Sequence, residues 1–214
     1  MQRSPENAVE TLAARLSECC VEILPGFSVA GRLEHVFKGT HQVLLTRHLR
    51  DGVPYHFQPQ DELRILPRRE TRNYEVVRGD VVFMSRGTRN RAWVIADVPA
   101  PTIVPVSFYI LRPWDGIEPR YLAWYLNQAP AQAAIDQIRT GAGTPIVQRT
   151  AFERLEVAVP PFEAQRRIGE LSELQARERE LRASLADATD RIQAATGREI
   201  IKMLWRDTPR RRTR

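Results

Sequence analysis

Eight arginines fall between Arg64 and Arg91, namely Arg64, Arg68, Arg69, Arg72, Arg78, Arg86, Arg89 and Arg91, against only Glu70, Glu75 and Asp80. Eight bases less three acids concentrate most of the chain's formal net charge of +6 in this one segment. The arginine fork matches phosphate oxygens and the guanine edge, so the chemistry on offer is recognition of a polyanion. Within the segment, Ser85-Arg86-Gly87-Thr88-Arg89-Asn90-Arg91 lies between two β-rich runs, Val81–Met84 and Trp93–Ala96. A hairpin tip of that composition can enter a DNA groove, with arginine reading guanine and Asn90 reading adenine. The plain alternative is a solvated turn. Arg72 joins the candidate contacts from the same block. A second candidate surface is Thr46–Gly52, carrying Arg47 and Arg50, and a third is Thr144, Gln148 and Arg149 beside a glycine-rich loop.

The composition points the same way. The chain has 32 Lys and Arg against 26 Asp and Glu, and Lys38 and Lys202 are its only lysines. Its pI of about 9.9 favours a polyanionic partner, although codon bias alone can produce the arginine excess. Catalytic arrangements are missing. Val36 and Ile200 stand two residues before the two lysines, so the acid-x-Lys of a common magnesium nuclease cannot form, and no Gly-Lys pair exists for a P-loop. Pro160-Pro161-Phe162 follows Val159, where an amino-methyltransferase needs Asn or Asp. Gly26-Phe27-Ser28-Val29-Ala30 lacks the last glycine of a nucleophile elbow. His35, His41, His48 and His56 match no zinc spacing, and Cys19-Cys20 lie far upstream of them. Neither enzyme, cofactor nor metal site is expected. Charged residues through Met1–Cys20 argue against a signal peptide, no long apolar run spans a membrane, and two adjacent cysteines make a cytoplasmic chain the default.

These candidates need a scaffold. Ser4 and Pro5 open an expected helix whose Val9, Leu12, Ala13, Leu16 and Cys20 share one face, ended by Pro25-Gly26. Short β-rich runs follow at Val29–Val36, Gln42–Thr46, Leu63–Leu66, Val81–Met84, Trp93–Ala96 and Thr102–Leu111, punctuated by turn residues. Helices are expected from Glu118-Pro119, over Ala131–Arg139 and near Thr150–Leu155, with a loop at Gly141–Pro145 and a strand at Glu156–Val159. The fold class is α+β: a curled, mostly antiparallel β-sheet domain with flanking helices, then a long C-terminal coiled-coil helix.

From Glu163 to Trp205 there is no proline, and Leu171, Leu174, Leu181, Leu185, Ala188, Ile192 and Ala195 recur at steps of three and four, interrupted by Glu178. That is the period of a coiled-coil seam. A helix of about 40 residues reaches roughly 60 Å, too far to bury its stripe on one small domain, so a partner helix is expected. A helix folded back on the core is the alternative. Glu178 either sets register against a base such as Arg182 or lies at the seam's edge. The division is 1–162 for recognition, 163–205 for the helix, and 206–214 for a basic, disordered tail.

Taken together the motifs resemble a known family. Val77-Arg78-Gly79-Asp80-Val81-Val82-Phe83 followed by Ser85-Arg86-Gly87-Thr88, then Glu118-Pro119-Arg120-Tyr121-Leu122 with Tyr125-Leu126-Asn127, then Gly141–Thr144, and then Leu155 to Gln165 are similar to specificity (S) subunits of type I restriction–modification systems. The resemblance covers roughly Leu33 to Ile200. It implies a target-recognition domain and a spacer helix, binding to double-stranded DNA without catalysis, and partnership with a methyltransferase (modification) subunit and a restriction subunit. Such subunits carry two recognition domains and two spacer helices, whereas this chain has one of each. A homodimer through antiparallel helices, reading an inverted repeat, is therefore the leading expectation. A coiled-coil interaction protein and a stand-alone DNA-binding regulator are the other readings.

Overall fold

The computed structural model describes residues 11–28 and 33–207. Its elements run β1 (Leu12–Arg15), β2 (Cys20–Pro25), β3 (His41–Val43), β4 (Tyr55–His56), β5 (Arg64–Ile65), β6 (Val81–Met84), β7 (Ala92–Asp97), β8 (Thr102–Ile103), β9 (Phe108–Pro113), α1 (Pro119–Leu126), α2 (Ala129–Ile138), β10 (Arg139–Thr140), β11 (Ile146–Val147), α3 (Arg149–Phe152), β12 (Glu156–Val159) and α4 (Phe162–Asp207). A five-stranded open sheet of order β2-β9-β6-β7-β4 is antiparallel except where β4 joins β7 in parallel. A three-stranded sheet, β5-β3-β8, and two antiparallel ribbons, β1-β12 and β10-β11, complete it. The class is α+β with mostly antiparallel sheets and a long C-terminal helix.

The central strands read as continuous apolar runs because both of their faces are covered. Val81 and Phe83 of β6, Ala92 and Val94 of β7, and Tyr109 and Leu111 of β9 enter a core shared with Leu122 and Leu126 of α1, Ile135 of α2 and Phe152 of α3. Their neighbours Val82, Trp93, Ile95, Phe108 and Ile110 point into a second core with Leu44 and Tyr55. Phe83 stacks on Phe152 at 4.2 Å between ring centroids.

Three sequence expectations are corrected. The helix expected from Ser4 to Pro25-Gly26 is absent over its described part: Leu12–Arg15 is β1, paired with Val159–Glu156, Cys20–Pro25 is β2, and Leu12 is exposed. Backbone bonds from Leu16 N to Leu155 O (2.8 Å) and from Ser17 N to Glu153 O (3.0 Å) satisfy this segment from far along the chain, so tertiary pairing overrides the local apolar spacing. Ser4, Pro5 and Val9 lie outside the described residues. Residues 33–36 form no strand, and 29–32 lie outside the described residues. The run Thr102–Leu111 is two strands, because Pro105 and the turn to Phe108 (Phe108 N to Pro105 O, 2.9 Å) break it. The helices at 119–126 and 129–138, the loop at 141–145 and the strand at 156–159 stand where the sequence put them.

The chain divides into compact units of Met1–Leu174 and Gln175–Arg214. In the first, the start of α4 is pinned to α1. Glu118 caps α1, its Oε2 accepting from Tyr121 N (2.8 Å), while its own N–H donates to Oε1 of buried Gln165 (3.0 Å). Gln165 Nε2 donates to Pro160 O (2.8 Å) and Gly116 O (3.2 Å), so this one amide joins three segments. A Cβ at Gly169 would lie 2.8 Å from both Arg120 Cβ and Glu118 Oε2, an approach only glycine permits. Arg120 adds ion pairs to Glu118 (2.7 Å) and Glu173 (3.5 Å).

The second unit is described as helix through Asp207, and 208–214 of the expected tail lie outside the described residues. Its stripe is open, with Leu181 63%, Leu185 69% and Ile192 67% exposed, and Ala188 exposed as well. Leu171 and Leu174, in the first unit, are exposed to a similar degree. Glu178 pairs with Arg182 of its own helix at 2.7 Å.

Candidate nucleic-acid interface

The hairpin between β6 and β7 is held by its first residue. Ser85 is buried, and its N–H and hydroxyl both donate to Ser107 O, at 2.8 and 2.9 Å. Gly87 then turns the chain at φ +86°, where a side chain would be strained. Its N–H donates to Pro145 O (2.8 Å), Val147 N donates to Ser85 O (2.8 Å), and Arg86 bridges Ile146. The β10–β11 ribbon, with its Gly141–Pro145 tip, is thereby laid along the Ser85–Thr88 loop. Tyr109 OH fastens the ribbon from below, donating to Val147 O at 2.7 Å. Burial pushes the pKa of that phenol upward, which keeps it a donor.

The second candidate segment arrives from the other side. Arg89 reaches Asp51 Oδ2 at 2.6 Å, which places Thr46–Gly52 beside the tip. Three stretches far apart in sequence, 46–52, 85–91 and 139–149, thus meet. On them Arg47, Arg50, Arg86, Thr88, Arg89, Thr144 and Gln148 are exposed. Exposed Arg149 pairs with Glu153 at 3.4 Å. Surface pairs such as Arg89–Asp51 contribute about 0–1 kcal/mol, so these guanidinium groups can exchange a carboxylate for a phosphate at little cost.

Three expected site residues fall elsewhere. Asn90 is 1% exposed, with side-chain Nδ2 donating to Met84 O (2.8 Å) and its backbone carbonyl accepting from Gln132 Nε2 (2.7 Å). The buried side chain closes the hairpin and is not presented to a base edge, so the adenine-reading role is corrected to a structural one. Arg91 is half-buried and donates to Asn127 O (3.1 Å). Asn127 in turn pairs both its amide groups with the backbone of Ala92, at 3.0 and 2.8 Å. Arg72 is exposed in a short 3-10 turn, Arg72–Tyr74, that approaches β2, at the opposite edge of the five-stranded sheet from β4.

Other contributors lie outside the expected site residues. Arg139 donates to Thr88 O (2.9 Å) and pairs with Asp136 (3.2 Å), which orients the tip from the ribbon's first residue. Buried Asp80 accepts from Arg112 Nε (3.0 Å) and Arg112 Nη2 (3.2 Å) and from Val77 N (3.0 Å), so the Gly79-Asp80 motif is a brace across β6 and β9. His48 Nδ1 accepts from Leu45 N (3.2 Å). Among the described residues no cluster of His, Cys, Asp and Glu could hold a metal ion, and no helix is long and apolar enough to cross a membrane.

No protein-family model and no curated protein matches the sequence. Solved structures do match. The S subunit of a type I restriction–modification system from M. genitalium aligns with a TM-score of 0.60 and 10% identity, over 94% of this chain and 48% of that one. The HsdS subunit from Thermoanaerobacter tengcongensis aligns at 0.55 and 18% identity, over 82% and 40%. A chain from a study of complex assembly and conformational transition of the type I R-M system aligns at 0.55 and 17%, over 93% and 46%. In each case this chain spans less than half of the matched chain's length. The chain therefore has the fold of type I restriction–modification S subunits, over slightly less than half of their extent.

Proposed function

We propose that this chain is a non-catalytic, sequence-specific DNA-recognition module of a type I restriction–modification system, which directs a methyltransferase subunit, and through it a restriction subunit, to its target. The observation that carries the reading is the meeting of three distant segments at the hairpin, with Arg47, Arg50, Arg86, Arg89, Thr88, Thr144 and Gln148 exposed on them. Arginines so placed hold phosphates and set register, while the neutral groups between them meet base edges. The likeness to S subunits supports the same role. The exposed stripe of Leu171, Leu174, Leu181, Leu185, Ala188 and Ile192 serves assembly: two copies pair antiparallel through it and read the halves of an inverted repeat.

Binding to duplex DNA, followed by fluorescence anisotropy over a salt series, tests the reading. Four phosphate contacts per copy, one for each of these arginines, give a slope of log K against log salt of about −3.6 per copy, or roughly 150-fold between 50 and 200 mM. Salt-independent or absent binding, with a stable protein complex retained, would instead support a coiled-coil interaction protein. Leu181→Glu with Leu185→Glu should convert the dimer to a monomer in sedimentation. A wild-type chain that is already monomeric at micromolar concentration would remove the pairing.

A further inference from the structure

We propose that Gln58 and Gln60 are base-reading residues, set in a polar cleft beside the hairpin that takes the major-groove edge of an A·T pair. The inference rests on the DNA reading above and deepens it. The cleft is lined by Arg47, Arg50, Tyr55, His56, Gln58 and Gln60. It lies near the hairpin, because Asp51, next to Arg50, holds Arg89.

The turn that presents the two glutamines is built from the core outward. Buried Gln42 spends its whole amide on it: Nε2 donates to Asp61 O (2.8 Å) and Val43 O (3.2 Å), and Oε1 accepts from Leu63 N (3.1 Å). Tyr55, also buried, donates from its hydroxyl to Asp61 Oδ2 at 3.1 Å. The 3-10 turn Pro59–Asp61 closes with Asp61 N on Gln58 O at 2.8 Å. On the other side, Phe57 N bonds Asp97 O at 3.0 Å, and Tyr55 pairs with Ile95 in the sheet. A segment fixed on both sides nonetheless leaves the Gln58 and Gln60 side chains exposed, with no hydrogen bond to the protein.

Unspent amides carried on a fixed backbone and flanked by arginines suit direct readout, since phosphate contacts fix register and only the two side chains remain to be ordered on binding. A glutamine amide matches the N7 acceptor and N6 donor of adenine in bidentate fashion. The buried amide of Asn90 cannot do this, which leaves Gln58 and Gln60 as the exposed amides of the cleft.

The test is selection from a random duplex library with the full chain, followed by affinity measurements on the selected site and its single-base variants. Gln58→Ala with Gln60→Ala should flatten an A·T preference at one or two positions, with a loss of about 5- to 150-fold on the preferred site. Affinity for unrelated duplex and the salt slope should stay at wild-type values. Gln58→Glu or Gln60→Glu should move the preference toward C·G, since a carboxylate accepts from cytosine N4. Wild-type base preferences retained in all these variants, beside a sequence-specific wild type, would overturn the inference and leave the DNA reading intact. A wild type that binds no duplex would overturn both.

Discussion

Asp80→Ala removes a carboxylate that is 2% exposed and accepts three N–H donors, two of them from Arg112. Breaking a buried pair from one side costs about 3–5 kcal/mol, because the remaining charge is stranded. Arg112 is 34% exposed and keeps Glu22 at 3.2 Å, so water and that second carboxylate recover part of the loss. The expected destabilisation is at the lower end, about 3 kcal/mol. With a urea slope of about 2 kcal/mol/M, this moves the unfolding midpoint down by about 1.5 M. Arg112→Ala should cost somewhat less, and the double variant should fall short of additivity by about 1–2 kcal/mol. The folded fraction of Asp80→Ala should bind duplex as wild type does, since the brace carries no contact to the exposed face. An Asp80→Ala midpoint within 0.2 M of wild type, or full additivity with Arg112→Ala, would refute this account of the Gly-Asp motif.

Further consequences follow from burial and close packing. Burial, then the Glu18 charge, pushes the Cys19 thiol up to about 11, and burial, then Cys19 and Asp80, pushes Cys20 up to about 12. Neither thiol should react with Ellman's reagent at pH 8 until the protein is unfolded, when both should. His48 is held below the ordinary histidine value of 6.5, chiefly by burial, and its Nδ1 accepts from Leu45 N only when unprotonated. The unfolded chain therefore takes up this proton more readily, and stability should be full above pH 6.5 and decline as the pH drops below it. Denaturation across pH 5–7.5 should show that slope, and His48→Asn, which keeps an acceptor but cannot charge, should flatten it. Gly169→Ala would ordinarily stabilise a helix by about 1 kcal/mol. Here the Cβ meets Arg120 Cβ and Glu118 Oε2 at 2.8 Å, so a net loss in thermal unfolding is expected instead.

Legibility in the sequence followed how local the determinants were. α1 was readable because Glu118, Pro119 and the apolar positions after them are its own signals, and α4 because its stripe repeats without interruption by proline. β6 and β7 were readable as short apolar runs bounded by turn residues. The segment Leu12–Cys20 was misread because its spacing suits a helix, while its backbone partners, Val159 to Glu153, lie some 140 residues away. The same distinction governs the site. Arg86, Thr88 and Arg89 were visible as a loop between strands, but nothing local reveals that the Asn90 side chain turns inward to Met84 while Gln132 takes its backbone carbonyl. That Arg47, Arg50, Thr144 and Gln148 join them depends on the Arg89–Asp51 pair and the Gly87–Pro145 bond, both long-range. Gln58 and Gln60 gave no signal, because their significance lies in the buried Gln42 and Tyr55 behind them.

Site-specific photocrosslinking asks most directly whether one duplex lies across the three joined segments. A photoreactive phenylalanine placed singly at Arg50, Thr88, Gln148 or Arg72 would be irradiated with a selected duplex, and the crosslinked bases mapped. The account predicts crosslinks from positions 50, 88 and 148 within about one helical turn, some 10 base pairs, and none from 72. Crosslinking from 72 with silence at 88 and 148 would contradict it.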